Sequence, residues 1–227
     1  MARDMYGAMD GPSAWMMTSE WDRTHTLLLF AMWAVMMAGM MLPSAAPMIL
    51  LYAGVLRRKQ PMRSHIPHVY ALGAGYLLIW TGFSAAATIV QRWMSELLVL
   101  TPMMEPATPV LTAALVAVAG LYQLTPLKTR CLQSCRSPLS FIMRAYRPGG
   151  AGAFTMGVRH GLYCLGCCWA LMLLLFAGGV MNLTVIAALT IVVLVEKVAP
   201  FGGVTSRVLG AGLLLLAGWI VVTGAAG

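Results

Sequence analysis

The chain has 227 residues, of which 60% are hydrophobic and only 10% are charged, and its mean hydropathy is +0.81. This composition excludes an ordinary soluble domain and is typical of a polytopic membrane protein, so the first expected partner is the lipid bilayer. The net charge of +8 could suggest nucleic acid, but membrane insertion and contact with anionic headgroups explain it, and we expect no nucleic-acid partner.

Six apolar segments have the length of roughly 20 residues that a helix needs to cross a hydrocarbon core of ~30 Å. They lie at about 27–56, 69–94, 107–127, 160–180, 182–198 and 205–225. Because lipid offers backbone groups no hydrogen-bond partners, they predict an all-α fold, a polytopic membrane helix bundle of about six transmembrane helices. Residues 1–24 are predicted to form an outward-facing tail that contains methionines, and residues 25–227 a single transmembrane bundle.

The first span is longer than one membrane crossing and contains Pro43 and Pro47. Each proline removes a helical N–H group and clashes with the preceding turn, so we predict a long first helix that is kinked or broken there. Two interpretations of residues 43–47 stay open. The segment is either part of an ion pathway or a simple kink that a neighbouring helix satisfies.

Five methionines come just before these prolines and form two neighbouring ridges at helical spacing: Met32, Met36 and Met40 form one, and Met37 with Met41 the other. Thioethers are neutral soft ligands that favour Cu(I), so these methionines could relay such an ion. Methionine also fills irregular apolar gaps, and core packing is the alternative interpretation.

Positive charge is concentrated at one end of the predicted spans. Twelve of the fifteen basic residues flank that end, namely Arg57, Arg58, Lys59, Arg63, Lys128, Arg130, Arg136, Arg144, Arg147, Arg159, Lys197 and Arg207. Since basic loops stay in the cytoplasm, we predict that this side is cytoplasmic and that both termini lie outside, in the inner (cytoplasmic) membrane of a bacterium. Residues 128–159 are then a cytoplasmic loop, with a short amphipathic helix followed by a flexible turn.

All five cysteines fall on this side, Cys131 and Cys135 in the loop and three at the start of the fourth span. His160, Cys164, Cys167 and Cys168 stand at positions i, i+4, i+7 and i+8, which share one face of a helix.

Cytoplasmic thiols are normally reduced, so metal ligation or redox chemistry is favoured over a structural disulfide. The soft donors favour Cu(I), and zinc is the alternative metal. The competing structural interpretation is that buried cysteines act as small hydrophobic residues that let helices pack closely.

Charged residues near these thiols are a further set of candidates. Arg136 and Arg159 would favour the deprotonated thiols if they approach the cluster. Glu196 lies beside Lys197 at the end of the fifth span, where the two charges are either functional or simply terminate the span.

An ordered set of motifs carries a resemblance to a known family. The motifs are Met36 to Pro47, Gln123 to Lys128, Cys131 with Cys135-Arg136-Ser137-Pro138, Gly157 to Gly161, Cys164 to Trp169, Gly179 to Asn182 and Glu196-Lys197. With these motifs, residues 25–200 resemble a bacterial family of integral membrane proteins that are predicted to bind metal and are classed as a domain of unknown function. The resemblance implies that Cys131, Cys135, His160, Cys164, Cys167 and Cys168 are ligands. The adjacent thiols also resemble, over a few residues, those of bacterial mercury-uptake membrane proteins.

The leading hypothesis is a non-enzymatic inner-membrane protein that binds or transfers Cu(I) or a similar thiophilic ion. The cysteine and histidine cluster would hold the ion, Met36, Met37, Met40 and Met41 would relay it, and a membrane or periplasmic metal-handling partner could exchange it. One alternative is a membrane thiol–disulfide redox carrier that uses the same cysteines. Another is an accessory subunit that handles metal for a larger membrane metalloenzyme.

Overall fold

A computed structural model describes residues 22–59, 65–97, 108–180, 182–199 and 201–224. Every regular element in these ranges is a helix, which confirms the predicted all-α class. The helices are α1 (Arg23–Lys59), α2 (Ile66–Glu96), α3 (Pro109–Gln123), α4 (Pro126–Arg136), α5 (Pro138–Ala145), α6 (Gly149–Met172), α7 (Leu174–Ala177), α8 (Leu183–Val198) and α9 (Gly202–Gly224). Only Leu173 separates α6 from α7, so these two helices follow each other almost without interruption.

Four helices, rather than six, are long and apolar enough to cross a membrane on their own: α1, α2, α6 with α7, and α9. Helices α3 and α4 pass the same test only as a pair that is bent by 65°, which raises the number of candidate spans to five in the described part of the chain. The predicted fifth span is α8, which has 16 residues and is too short. The expectation of six spans is therefore wrong by length and composition.

The bend between α3 and α4 has a local cause in the sequence. Thr125 caps α4 by accepting a hydrogen bond from the Lys128 N–H group, and Pro126 occupies the first helical position. A capping residue followed by proline begins a new helix instead of continuing the old one. The predicted third span, 107–127, therefore ends in an elbow that hydropathy alone does not reveal.

The segment that was expected to be a loop, 128–159, is largely helical. Helix α5 is the predicted amphipathic helix, and it buries Phe141, Ile142 and Ala145. The turn that follows is completed at Gly149, whose φ of +85° favours glycine. Helix α6 already begins at this glycine, well before the predicted start of the fourth span at His160.

The proline-containing helix α1 is long, as predicted, and continuous through Pro43 and Pro47, so it is not broken there; a kink at these prolines stays a prediction. Inside this stretch the carbonyl oxygen of Met41 accepts hydrogen bonds from Ser44 Oγ at 2.8 Å and from Tyr76 Oη of α2 at 3.1 Å. Residues 1–21, which include most of the predicted tail with its methionines, lie outside the described residues.

Glycines allow α2 and α6 to pack with their backbones in close contact. A Cβ atom on Gly157 would clash with the carbonyl oxygen of Leu72, and one on Gly75 would clash with the carbonyl oxygen of Phe154. A Cβ atom on Gly161 would lie 2.9 Å from Ile79 Cγ1. Small residues four apart are a common means of close helix association in membranes. This contact fixes the position of α6, which carries three of the cysteines.

We expect Gly157→Ala to lower the free energy of unfolding by roughly 1–3 kcal/mol, because the added methyl group overpacks this contact. Gly73→Ala on α2 is the matched control, since a Cβ atom there meets nothing within 4 Å. That change should be neutral or stabilise by up to ~1 kcal/mol through helix propensity. Thermal unfolding of both variants in detergent measures the difference, and equal unfolding temperatures would contradict the packing argument.

Candidate metal centre

Three thiols are brought together on one turn of α6. Cys164, Cys167 and Cys168 are each 1% exposed. The thiol groups of Cys167 and Cys168 donate to the carbonyl oxygen of Cys164, with Sγ–O distances of 3.1 Å and 2.8 Å. Helical spacing places the three residues on the same face, as the sequence predicts.

Helix α4 packs against α6 and adds the other two thiols. The Sγ atoms of Cys135 and Cys167 lie 4.0 Å apart. Cys131 lies one turn earlier on α4, and its Sγ would be 2.8 Å from a Cβ atom added to Gly166. Glycine at position 166 therefore leaves the space that this sulfur occupies. The pair from α4 and the trio from α6 converge, although 32 residues separate Cys135 from Cys167.

The thiol pair fits a thiophilic ion. All five thiols are free, and a separation of 4.0 Å is far longer than the ~2.05 Å of a disulfide. It is shorter than the ~4.6 Å that two metal–sulfur bonds of ~2.3 Å can span.

Among the described residues, no group of three or more His, Cys, Asp or Glu side chains is arranged to hold a metal ion. A two-sulfur arrangement favours Cu(I), whereas a structural zinc site needs four donors.

His160 lies one turn before Cys164 on α6 and is 3% exposed. Its ring centre is 5.7 Å from that of Tyr76 and 5.4 Å from that of Phe141. The buried Nδ1 atom has no hydrogen-bond partner. Buried polar atoms rarely stay unpaired, so this nitrogen is a chemically suitable further donor.

A polar network that the cysteine spacing does not reveal surrounds Cys164. Lys197 of α8 donates from Nζ to Cys164 Sγ at 2.9 Å and to Ser44 Oγ of α1 at 2.9 Å. The hydroxyl of Tyr76 lies 3.0 Å from the same sulfur.

Among the described contacts, Lys197 is therefore the cation at the thiols. Arg136 instead donates to the carbonyl oxygen of Ala199, and Arg159 is exposed. The charged pair at the end of the fifth predicted span was the only sequence signal for Lys197.

A buried ion pair lies next to this network. Lys128 Nζ is 2.7 Å from Glu196 Oε2, and the two side chains are 1% and 2% exposed. Gln123 donates from Nε2 to the other carboxylate oxygen at 3.0 Å. Lys128 was expected among the basic residues at the membrane surface, but it is buried. Two ammonium groups and one carboxylate are thus buried together, which leaves one positive charge for the thiols to balance.

The predicted methionine relay lies in the same core. Met37 and Met41 are 0% exposed and Met40 is 3% exposed, while Met36 is partly buried. All four belong to or pack against the hydrophobic cluster that contains Cys164, Cys167 and Cys168. The thioethers and the thiols therefore share one apolar interior, and core packing explains the methionines equally well.

Comparison with known protein families matches most of the chain to one family model. The family model PpoB2, described as a copper chaperone, matches residues 30–220 of the chain. No curated protein and no solved structure matches the chain at a significant level. The matched range includes every described cysteine and both buried lysines.

Proposed function

The chain belongs to the PpoB2 family of copper chaperones, and from this premise we propose that it is a non-enzymatic inner-membrane protein that binds Cu(I) and passes it on. Cys135 and Cys167 hold the ion between α4 and α6. The remaining thiols and His160 are neighbouring donors to which the ion can move. Copper is the cargo of this protein, and release to an acceptor is part of the function.

The observation that carries the proposal is the contact between Cys135 Sγ and Cys167 Sγ at 4.0 Å in a partly buried site. Thiolates are soft ligands that select Cu(I) over hard ions. Cys167 is buried and Cys135 is partly buried, so water and other ligands have limited access to the pair, which favours retention of the ion. The two thiols lie on different helices, so a small relative movement of α4 and α6 changes the separation of the donors.

The buried charges favour a monovalent ion. One Cu(I) ion with two thiolates carries a net charge of −1, which the ammonium group of Lys197 balances. A divalent ion with the same two thiolates is neutral and leaves Lys197 without a counter-charge. Uncompensated charge in the protein interior is costly, so the site disfavours divalent ions in two-thiolate form.

We expect Cys135→Ser and Cys167→Ser each to weaken Cu(I) binding by more than the ~10–100-fold that loss of an outer partner of a metal ligand typically causes. The double variant should be little weaker than either single variant, because losing one of two donors already abolishes the shared site. Anaerobic titration against a Cu(I) chelator of known affinity measures this effect.

Ser134→Ala, one residue before Cys135 on α4, controls for disturbance of the helix and should bind as the wild type does. Unchanged Cu(I) affinity in both cysteine variants would reject the assignment. Elemental analysis of protein purified without oxygen tests the same assignment independently.

The methionines of α1 are proposed to lower the barrier to transfer without adding to equilibrium affinity at the thiols. Met37→Leu with Met41→Leu should slow delivery of Cu(I) to a chelator outside proteoliposomes about tenfold, the effect of ~1.4 kcal/mol on a barrier. Met48→Leu is the matched control, because Met48 is 2% exposed on the same helix but belongs to a different core cluster. Equal slowing in both would indicate a packing effect.

A second candidate function uses the same sulfur pair. The short Cys135–Cys167 separation also suits a thiol–disulfide carrier. In that reaction the two thiols become a disulfide and give two electrons and two protons to a partner disulfide, which becomes a dithiol. Cys135→Ser should then trap a mixed disulfide between Cys167 and the partner. Absence of that adduct, together with Cu(I) binding, favours the chaperone.

The membrane setting and the partner are also part of the proposal. The four or five sufficiently long apolar helices support an integral membrane protein. The basic residues favour the thiol-bearing end as cytoplasmic, with both termini outside. Reporter fusions at each terminus test this orientation. Co-purification of a metalloenzyme at equal stoichiometry would favour the accessory-subunit version of the function.

A further inference from the structure

A cleft opens where the α3–α4 elbow faces the start of α9. It encloses about 440 Å³, and its polar lining comes from Gln123, Thr129, Arg130, Gln133, Ser206 and Arg207. Gln123 forms its inner wall, where it is 2% exposed and accepts a hydrogen bond from Ser206 Oγ at 3.3 Å. The cleft is separate from the thiol pair, and the proposed copper function does not use it.

The charge of the cleft is entirely positive among the residues that line it. Arg130 and Arg207 come from two helices, and neither forms a salt bridge with a described residue. No carboxylate belongs to the lining. Glu196 lies behind Gln123, but Lys128 already neutralises it. Two unpaired guanidinium groups with hydroxyl and amide groups beside them form a set of donors suited to a phosphate group.

Exposed apolar side chains flank the cleft on both sides. Leu124 and Leu127 of the elbow are 46% and 57% exposed. Val204 and Val208 of α9 are 60% and 66% exposed. A free phosphate ion would leave these apolar side chains exposed, whereas the acyl chains of a phospholipid would cover them. Basic pockets between helices at the cytoplasmic face of a membrane are known to bind anionic headgroups.

We propose that this cleft binds the phosphate group of an anionic ligand through Arg130 and Arg207, and that the ligand is a membrane phospholipid. Its headgroup occupies the cleft, and its acyl chains lie along the apolar surfaces of α3 and α9. Because Gln123 connects the cleft to Glu196, the bound lipid also stabilises the elbow that positions α4 and its cysteines.

The test uses the full-length protein after delipidation in detergent. Binding of phosphatidylglycerol and of phosphatidylcholine is measured by native mass spectrometry. Arg130→Gln with Arg207→Gln should weaken phosphatidylglycerol binding at least about tenfold, since each basic contact with an anionic lipid is favourable. Arg57→Gln with Arg58→Gln is the matched control. Both arginines are exposed, and their substitution removes two positive charges from the predicted cytoplasmic face, as the cleft variant does.

The control pair should bind phosphatidylglycerol within about threefold of the wild type, a change of at most ~0.7 kcal/mol. Equal weakening by both pairs, or equal binding of the two lipids by the wild type, would overturn the proposal. Inorganic phosphate is titrated separately by calorimetry. Phosphate binding that is lost in the cleft variant, without lipid selectivity, would overturn the lipid assignment and identify a soluble phosphate ligand.

Discussion

Lys197→Met is expected to weaken Cu(I) binding at least ~30-fold. Truncating one member of a buried charge pair costs at least ~2 kcal/mol, which corresponds to this change in affinity. Lys197 Nζ lies 2.9 Å from Cys164 Sγ, and the residue is 9% exposed. Methionine fills a similar volume but supplies no charge. The anionic complex of Cu(I) with two thiolates then lies in an apolar interior without its counter-ion.

Lys197→Arg keeps the charge and is the conservative control, with binding expected to lie between that of the wild type and that of Lys197→Met. The two effects are separable by measuring selectivity. A divalent soft ion such as Hg(II) needs no counter-charge with two thiolates, so Lys197→Met should lose less affinity for Hg(II) than for Cu(I). Equal losses of affinity for both ions would contradict the charge argument. The assignment of the thiols as ligands would still be tested by the cysteine variants.

Glu196→Gln is expected to lower the free energy of unfolding by roughly 3–5 kcal/mol, the usual effect of stranding one charge of a buried pair. Glutamine can still meet Gln123, but it leaves the ammonium group of Lys128 without a counter-charge in an environment where that residue is 1% exposed. The measurement is thermal or denaturant unfolding in detergent, supported by the yield of folded protein.

The chain supplies a matched control for this change. Glu96 forms a salt bridge with Arg92 at 2.8 Å, nearly the same length as the buried pair, but both side chains are about half exposed at 48% and 47%. Glu96→Gln should cost less than ~1 kcal/mol because exposed pairs contribute little. The double change Glu196→Leu with Lys128→Met should recover most of the loss, since neither charge of this pair then remains buried without its partner. A double variant as unstable as Glu196→Gln would indicate a different role.

The fold class and the chemical character of the centre could be predicted because both are local properties of the sequence. Long apolar blocks require helices, and the spacing of Cys164, Cys167 and Cys168 places them on one face. The approach of Cys135 to Cys167 could be expected only because the predicted topology places both residues at the same end of the spans. The contact itself depends on the bend before α4, which packs α4 against α6. This bend is set by Thr125 and Pro126.

The contacts of Lys197 could not be predicted, because each depends on a distant part of the chain. Ser44 is 153 residues away and Cys164 is 33 residues away. In the sequence, a charged residue at the end of an apolar segment cannot be assigned to a contact with water or to a contact with a thiol. Glycines raise the same difficulty. The sequence does not distinguish Gly73 from Gly157, yet of these two only Gly157 packs so closely that an added Cβ atom would clash with the backbone of a neighbouring helix.

Helix α8 has a mechanical consequence for the centre. Neighbouring residues on a helix point in directions about 100° apart, so Glu196 and Lys197 hold different neighbours. Glu196 links α8 to α4 through its ion pair with Lys128, while Lys197 links α8 to α6 through its hydrogen bond to Cys164. Since α4 and α6 also meet through Cys135 and Cys167, the three helices form a closed ring of linkages. Displacement of any one thiol should then strain the opposite side of that ring, so we expect copper binding at the proposed site to affect the elbow before α4 as well.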